Sequence, residues 1–276
     1  MEGVTIAGLC RVCAMSKQNY YRLKRARQRV AVDEGLVLDL VRAERRIQPR
    51  LGVRKLRVML EGELRAAGVN MGRDRFFALL GEHDLLIARA RRSGPRTTDS
   101  RHRFRIYGNL LKDCELSGPH QAWVSDLTYL RTREGFVYLA LVMDAWSRMI
   151  VGWHVGETLE ALGCVAAVKM ALRQLPSDAR PIHHSDRGTQ YCCGEYVALL
   201  EGHELAISMT QENHCYENAQ AERLNGISKQ EYGLGGELAR KDQARQAVAE
   251  AVNLYNQRRP HTALNYRTPA AVHAGN

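Results

Sequence analysis

The chain has 276 residues, 45% of them hydrophobic and 25% charged, with a net charge of +10. That composition fits a globular protein with one ordinary domain and a smaller one rather than a disordered chain. No apolar run approaches the roughly 18 residues that span a bilayer, and the opening MEGVTIAGLCRVCAMSK lacks the features of a signal peptide, so the cytoplasm is the expected location.

The charge is unevenly placed. Residues 1–118 hold 25 Lys and Arg against 13 Asp and Glu, a net +12, whereas residues 119–276 hold 15 against 17, a net −2. A single Arg-rich helix is usually a solvated face, but an excess of this size over one segment points to a polyanionic partner such as DNA. The seven cysteines, odd in number and irregularly spaced, do not form a disulfide framework. Cys10 and Cys13 make a lone CxxC with no second pair at zinc-finger spacing, so both read as small apolar residues on one helix face. Cys192 and Cys193, adjacent in sequence, read as ordinary buried or half-buried thiols.

In chain order, TIAGLCRVCA predicts a short helix, Met15-Ser16 a turn with Ser16 as N-cap, and KQNYYRLKRA a second helix. Residues 1–28 thus form a helix-turn-helix-like segment presenting Gln18, Asn19, Tyr20 and Arg22 outward. Over residues 29–92, Leu56, Leu60 and Leu64, then Phe76, Leu79 and Leu80, recur at helical spacing around the turn AGVNMG. This predicts an all-α helix-turn-helix DNA-binding domain, with Arg54, Lys55, Arg73, Arg75, Arg91 and Arg92 as candidate DNA contacts. Residues 93–118 are polar, Arg-rich and poorly periodic, a basic linker laid along phosphates.

From residue 119 the pattern changes. QAWVSDLTYLRT, GFVYLALVMDAWSR and MIVGWHVGE predict three strands, TLEALGCVAAVKMALRQL a helix, PIHHSD a strand, CGEYVALLEGHE a helix and LAISMT a strand. Two helices, NAQAERLNGISKQEYG and KDQARQAVAEAVNLYNQR, close residues 119–276. A three-strand meander followed by alternating helices and strands predicts an α/β fold: a mixed five-stranded sheet flanked by helices.

Three carboxylates stand out in this region. Asp126 interrupts a strand, Asp186 follows one, and Glu222 lies in a helical stretch; 59 residues separate the first two and 35 the last two. Carboxylates on such elements can converge on hard divalent cations, which stabilise the attacking and leaving oxygens of a displacement at phosphorus. Each has an ordinary reading alone: Asp186 as an Asx turn, Glu222 as a solvated helix residue. Asp144, also in a strand-like run, competes with Asp126. The Ala-Trp-Ser-Arg after it marks the strand's end, and a turn cap explains it. Of His183 and His184, one is expected inward and one outward, hydrogen-bonded rather than metal-bound.

The strings SDLTY, HHSDRGTQY and NAQAERLNGISKQEYG, the 35-residue spacing and the tail YNQRRPHTALNYRTP resemble the integrase-core DDE transposases. More narrowly they resemble the OrfB product of bacterial two-frame insertion sequences, from about residue 16 to 270. Leu51-Gly52 departs from a Tyr-Gly common in that family. The resemblance implies an RNase H-like core in which Asp126, Asp186 and Glu222 are catalytic and bind two Mg²⁺ (or Mn²⁺) ions. It implies a transposase that cleaves DNA at transposon ends and transfers the freed strand. Lys229, seven residues past Glu222, matches a basic position of the family. Lys229 and Arg223 are expected to contact DNA, with Arg258 and Arg259 as further candidates. The implied partners are double-stranded DNA, further copies of the chain, and the first-frame (OrfA-like) product as a frameshift fusion. Two other readings compete: an RNase H-like nuclease that only hydrolyses, and an inactive DNA-binding remnant or regulator.

Overall fold

The computed structural model describes residues 5–88, 103–112, 114–211 and 218–275, and the chain divides into two compact units, Met1–Ala88 and Arg89–Asn276.

The first unit is helical: α1 (Ile6–Val12), α2 (Lys17–Ile47), α3 (Val53–Ala66) and α4 (Arg73–Glu82). Thr5 and Ser16 cap α1 and α2, their hydroxyls accepting from the N–H groups of Gly8 and Asn19. The second helix, expected to stop near Ala26, continues to Ile47, so the boundary drawn between residues 28 and 29 falls inside one helix. The reason lies further along, where Val37, Leu38 and Val41 are buried against Leu56, Leu60 and Leu64 of α3 and Phe76, Leu79 and Leu80 of α4. That burial carries the helix through Gly35, an interior glycine worth about 1 kcal/mol of helix propensity. Among the described residues the first half of α2 has no such buried stripe, and residues 21–32 are exposed throughout. Gln18 and Arg22 face outward as expected, while Asn19 and Tyr20 are half-buried. Cys10 is buried but Cys13 is exposed, so the two do not share a packed face. α3 and α4 form the expected helix pair around a turn at residues 67–72.

The second unit is built on β1 (Ala122–Thr132), β2 (Gly135–Asp144), β3 (Ile150–Gly156), β4 (Ile182–Ser185) and β5 (Ala206–Met209). Their order is β3-β2-β1-β4-β5, with β1–β2–β3 antiparallel and β1–β4–β5 parallel. This is the expected RNase H-like mixed sheet, with one addition. A two-residue strand, β6 (Glu237–Leu238), pairs with the end of β1 and makes a sixth.

Helices cover both faces. α5 (Ala161–Leu172), α6 (Thr189–Cys192) and α7 (Gly194–Gly202) pack on Trp123, Leu127, Ala140 and Val142. α8 (Ala219–Glu231) and α9 (Lys241–Gln257) pack on Ala122, Val124, Leu130 and Leu139. The chain closes with α10 (Pro269–His273). Double coverage explains the alternating strand residues that are apolar on both sides. It also corrects the expectation for His183 and His184: they point to opposite faces, yet both are fully buried.

Part of the expected linker belongs to this unit. Met209 donates its N–H to the Gly108 carbonyl, Leu110 donates its N–H to Ser208 Oγ, and Tyr107 packs against the α5-side core. The segment thereby covers the outer edge of β5.

Candidate active site

The pairing of β1 with β4 fixes the first two carboxylates. The parallel register matches Ala122 to Ile182, Trp123 to His183 and Val124 to His184. β4 ends at Ser185, and the next residue, Asp186, leaves the strand close enough to Asp126 for its charge to act on that carboxyl. Its Oδ1 accepts from the Gly188 N–H at 2.9 Å, an Asx turn that orients the carboxylate. The ordinary reading of this residue is therefore true, and it holds the group in place.

The third carboxylate comes from α8, which two asparagines fasten to β1. Asn218 at the helix start donates to the Ser125 carbonyl at 3.2 Å, and Asn225 donates to Asp126 Oδ2 at 2.7 Å. Glu222 precedes Asn225 by three residues and Lys229 follows it by four, so all three share one helix face. Glu222 is exposed in the first turn of α8, where the helix dipole favours a negative charge.

Asp126 records the convergence. Burial first, then the charge of Asp186, and more weakly that of Glu222, raise its pKa to about 7. Hydrogen bonds from Asn225 and from the Leu127 N–H act the other way. Among the described residues, no group of three or more His, Cys, Asp and Glu side chains is already arranged as a metal site. The three carboxylates share an electrostatic neighbourhood rather than a finished coordination sphere. Their chemistry suits a hard cation: acceptor-only oxygens, with an excess of negative charge on a low-dielectric floor.

The remaining candidates separate clearly. Asp144 is fully buried and accepts from the Ser147 N–H and hydroxyl and from the His120 N–H, the turn cap expected of it. His183 Nε2 sits 2.8 Å from Ser125 Oγ and 2.9 Å from the Tyr196 hydroxyl, and His184 Nδ1 sits 2.8 Å from Ser208 Oγ; both are structural. Lys229 is half-buried, its Nζ 4.2 Å from the centre of the Tyr129 ring. Burial lowers its pKa and the charge of Asp126 opposes that shift. Arg223 and Arg258 are exposed. Arg259 is a correction: it is 2% exposed and holds Glu231 at 2.7 and 2.8 Å through Nε and Nη2, locking the C-terminal stretch to the end of α8.

In the first unit Arg54 and Arg73 are exposed and Lys55 half-buried. Arg75 is held by Glu34 at 2.6 Å and Glu82 at 2.7 Å, which neutralise it as a phosphate contact. Arg91 and Arg92 lie outside the described residues. Sequence reasoning missed Asn218 and Asn225. Their seven-residue spacing around Glu222, two turns along one helix face, was the available signal.

Residues 117–215 match the integrase core domain, and residues 203–269 match a second integrase core domain family. The chain is 34% identical over 267 residues to the uncharacterized 31 kDa protein of insertion element IS600 from Shigella sonnei, covering 95% of this chain and 96% of that protein. It is 32% identical over 264 residues to transposase InsF of insertion sequence IS3A from Escherichia coli, covering 94% and 90%. The catalytic core of HTLV-2 integrase, solved with magnesium, aligns at 19% identity and a TM-score of 0.45, over 56% of this chain and 97% of that one.

Proposed function

We propose a reaction from one premise: the chain belongs to the integrase-core transposases of IS3-type insertion sequences. Asp126, Asp186 and Glu222 hold two magnesium or manganese ions. The protein cuts a DNA strand at the end of the mobile element and joins the freed 3′ hydroxyl to a second phosphodiester. The supporting observation is the parallel pairing of β1 with β4, whose end leads into Asp186, together with the hydrogen bond from Asn225 of α8 to Asp126. When bound, such an ion pair supplies an activated attacking oxygen and a stabilised leaving oxygen, so water and a 3′ hydroxyl can be used in turn.

The chain's own residues contribute position. Asn225 and the Leu127 N–H hold the Asp126 carboxylate in one orientation, and the Gly188 N–H does the same for Asp186. Lys229, on the Glu222 face of α8, offers a cation to the scissile strand's phosphates. The positive first unit supplies sequence-independent attraction for double-stranded DNA. We extend the reading to partners: copies of the chain act together on paired ends, and the first-frame product joins as a fusion.

Strand transfer of a labelled transposon-end oligonucleotide into a target plasmid tests this. The wild-type chain, or its fusion, is expected to give joined product in magnesium. Asp126→Asn, Asp186→Asn and Glu222→Gln are each expected to reduce it to background. Cleavage without joining would reassign the protein as a nuclease, and three fully active variants would remove the carboxylates from the mechanism.

A further inference from the structure

The α5-side face of the β1–β2 hairpin changes character along its length. Near the middle of the sheet Leu127 and Ala140 are buried beneath helices. Toward the turn, alternation puts Tyr129 and Arg131 of β1 on the same face as Tyr138 and Phe136 of β2, with Tyr129 opposite Tyr138 and Arg131 opposite Phe136. The rings of Tyr129 and Phe136 meet edge to face at 5.3 Å. A cation flanks each end: Lys229 Nζ lies 4.2 Å from the Tyr129 ring centre, and the Arg131 guanidinium 6.0 Å from that of Phe136. On the next strand Gly156 stands opposite Tyr138, and the His154 imidazole lies 3.7 Å from where its Cβ would be. Phe136 is 42% exposed.

A flat sheet carrying aromatic rings between cations matches one ligand chemistry well. Nucleobases stack on the rings while the cations meet the phosphates between them. Bases inside a duplex hide their faces, so a stacking platform selects an opened strand. Tyr129 lies three residues from Asp126 along β1, roughly 10 Å, with its side chain on the opposite face; Lys229 of α8 links the two, its Nζ at the Tyr129 ring and under the charge of Asp126. Of the nearby carboxylates, Glu237 stands beside Arg131 in the register and 3.9 Å from Arg133 in an exposed contact, and Glu134 accepts from the Lys241 N–H at 3.0 Å.

We propose that Tyr129, Phe136 and Tyr138, with Arg131 and Lys229, form a subsite for unpaired bases of the DNA strand next to the reacting phosphodiester. The subsite rests on the transposase reading and adds to it a preference for strands opened near the cut.

The test compares two probes bound to the full-length protein in chelator, so that nothing is cut. One is a duplex with a short unpaired 3′ tail containing 2-aminopurine, and the other is the same duplex fully paired. The wild-type protein is expected to bind the tailed probe about five- to tenfold more tightly and to quench its fluorescence, as stacking does. Phe136→Ala is expected to bring the affinity ratio close to one and abolish the quenching, while Phe136→Trp retains both. Thermal unfolding reports whether Phe136→Ala still folds. If it does not, Arg131→Gln decides, because it keeps the rings and is expected to lower the ratio by a smaller factor. Equal wild-type affinity for both probes overturns the subsite and leaves DNA binding standing. A folded Phe136→Ala protein that keeps the preference overturns it too, as does an Arg131→Gln ratio equal to wild type. Failure to bind either probe removes the subsite together with the transposase reading beneath it.

Discussion

At the scale of single residues, the fold holds two titratable groups in opposite senses. Asp126 has a folded pKa of about 7, raised by burial and then by Asp186 and Glu222. An unfolded Asp titrates near 3.9. Between those values the folded protein binds more protons than the unfolded chain, so this residue's contribution to stability is full below about pH 4 and is lost as the pH rises to about 7. In chelator, Asp126→Asn is therefore expected to raise the unfolding temperature at pH 8 and to leave it nearly unchanged at pH 4. The gain is on the order of 2 kcal/mol, allowing for the partial exposure of the side chain. Magnesium is expected to stabilise the wild-type protein at pH 8 and the variant much less. A scan in which Asp126→Asn is less stable than wild type at pH 8 would contradict this account of the site. His183 behaves in the opposite way, because burial lowers its pKa to about 3. Its neutral form is the folded form, so stability is lost as the pH falls from about 6.5 toward 3. Imidazole nitrogen shifts should show His183 neutral throughout the range from pH 8 to 5; a midpoint near 6 would mean the ring is not enclosed with Ser125 and Tyr196.

At the scale of elements, one glycine decides how closely a helix approaches the sheet. A Cβ on Gly152 of β3 would lie 2.1 Å from the Ala167 carbonyl oxygen and 3.0 Å from the Ala171 N–H of α5. Both atoms belong to helix backbone and cannot turn aside. Gly152→Ala is thus expected to destabilise the second unit by about 3 kcal/mol or more, by displacing α5, while Gly226→Ala on α8, which meets open space, is neutral or slightly stabilising. Denaturant midpoints of the two variants check the contrast. Elements like these explain what could be read from the chain itself. β1, β2 and β3 announce themselves by β-branched and aromatic content, and the candidate site by one carboxylate inside a strand, one just past a strand and one on a helix. β6 could not be read, because two residues form a strand only through a pairing partner more than a hundred positions away. The true length of α2 was obscured by Gly35, although Val37, Leu38 and Val41 already carried a helical stripe. The role of Asn225 was hidden because nothing local says that an amide on α8 will meet a carboxylate on β1. Arg259 looked like a surface cation until its partner Glu231, on another helix, was in view.

At the scale of the whole molecule, the issue is which positive charges are available to DNA. Residues 1–88 carry 17 Lys and Arg against 10 Asp and Glu, but the excess is not spread evenly. Arg75, nominated from sequence, is held between Glu34 and Glu82, and Arg73 pairs with Asp74 at 2.9 Å in an exposed contact of little strength. The run from Lys17 to Val32 on α2 contains six cations and no carboxylate, and all six are exposed. Each phosphate neutralised by a protein cation releases condensed counterions and adds about 0.9 to the slope of log affinity against log salt. The triple change Arg22→Gln, Lys24→Gln and Arg25→Gln is therefore expected to lower that slope by about 2–3 for a generic duplex. Arg75→Gln should leave the slope unchanged and instead reduce thermal stability slightly, since it frees two carboxylates from their common partner. Anisotropy titrations across a salt series measure both effects. A triple variant with the wild-type slope would move the DNA contact off α2, and a reduced slope in Arg75→Gln would mean that its two carboxylates release it when DNA arrives.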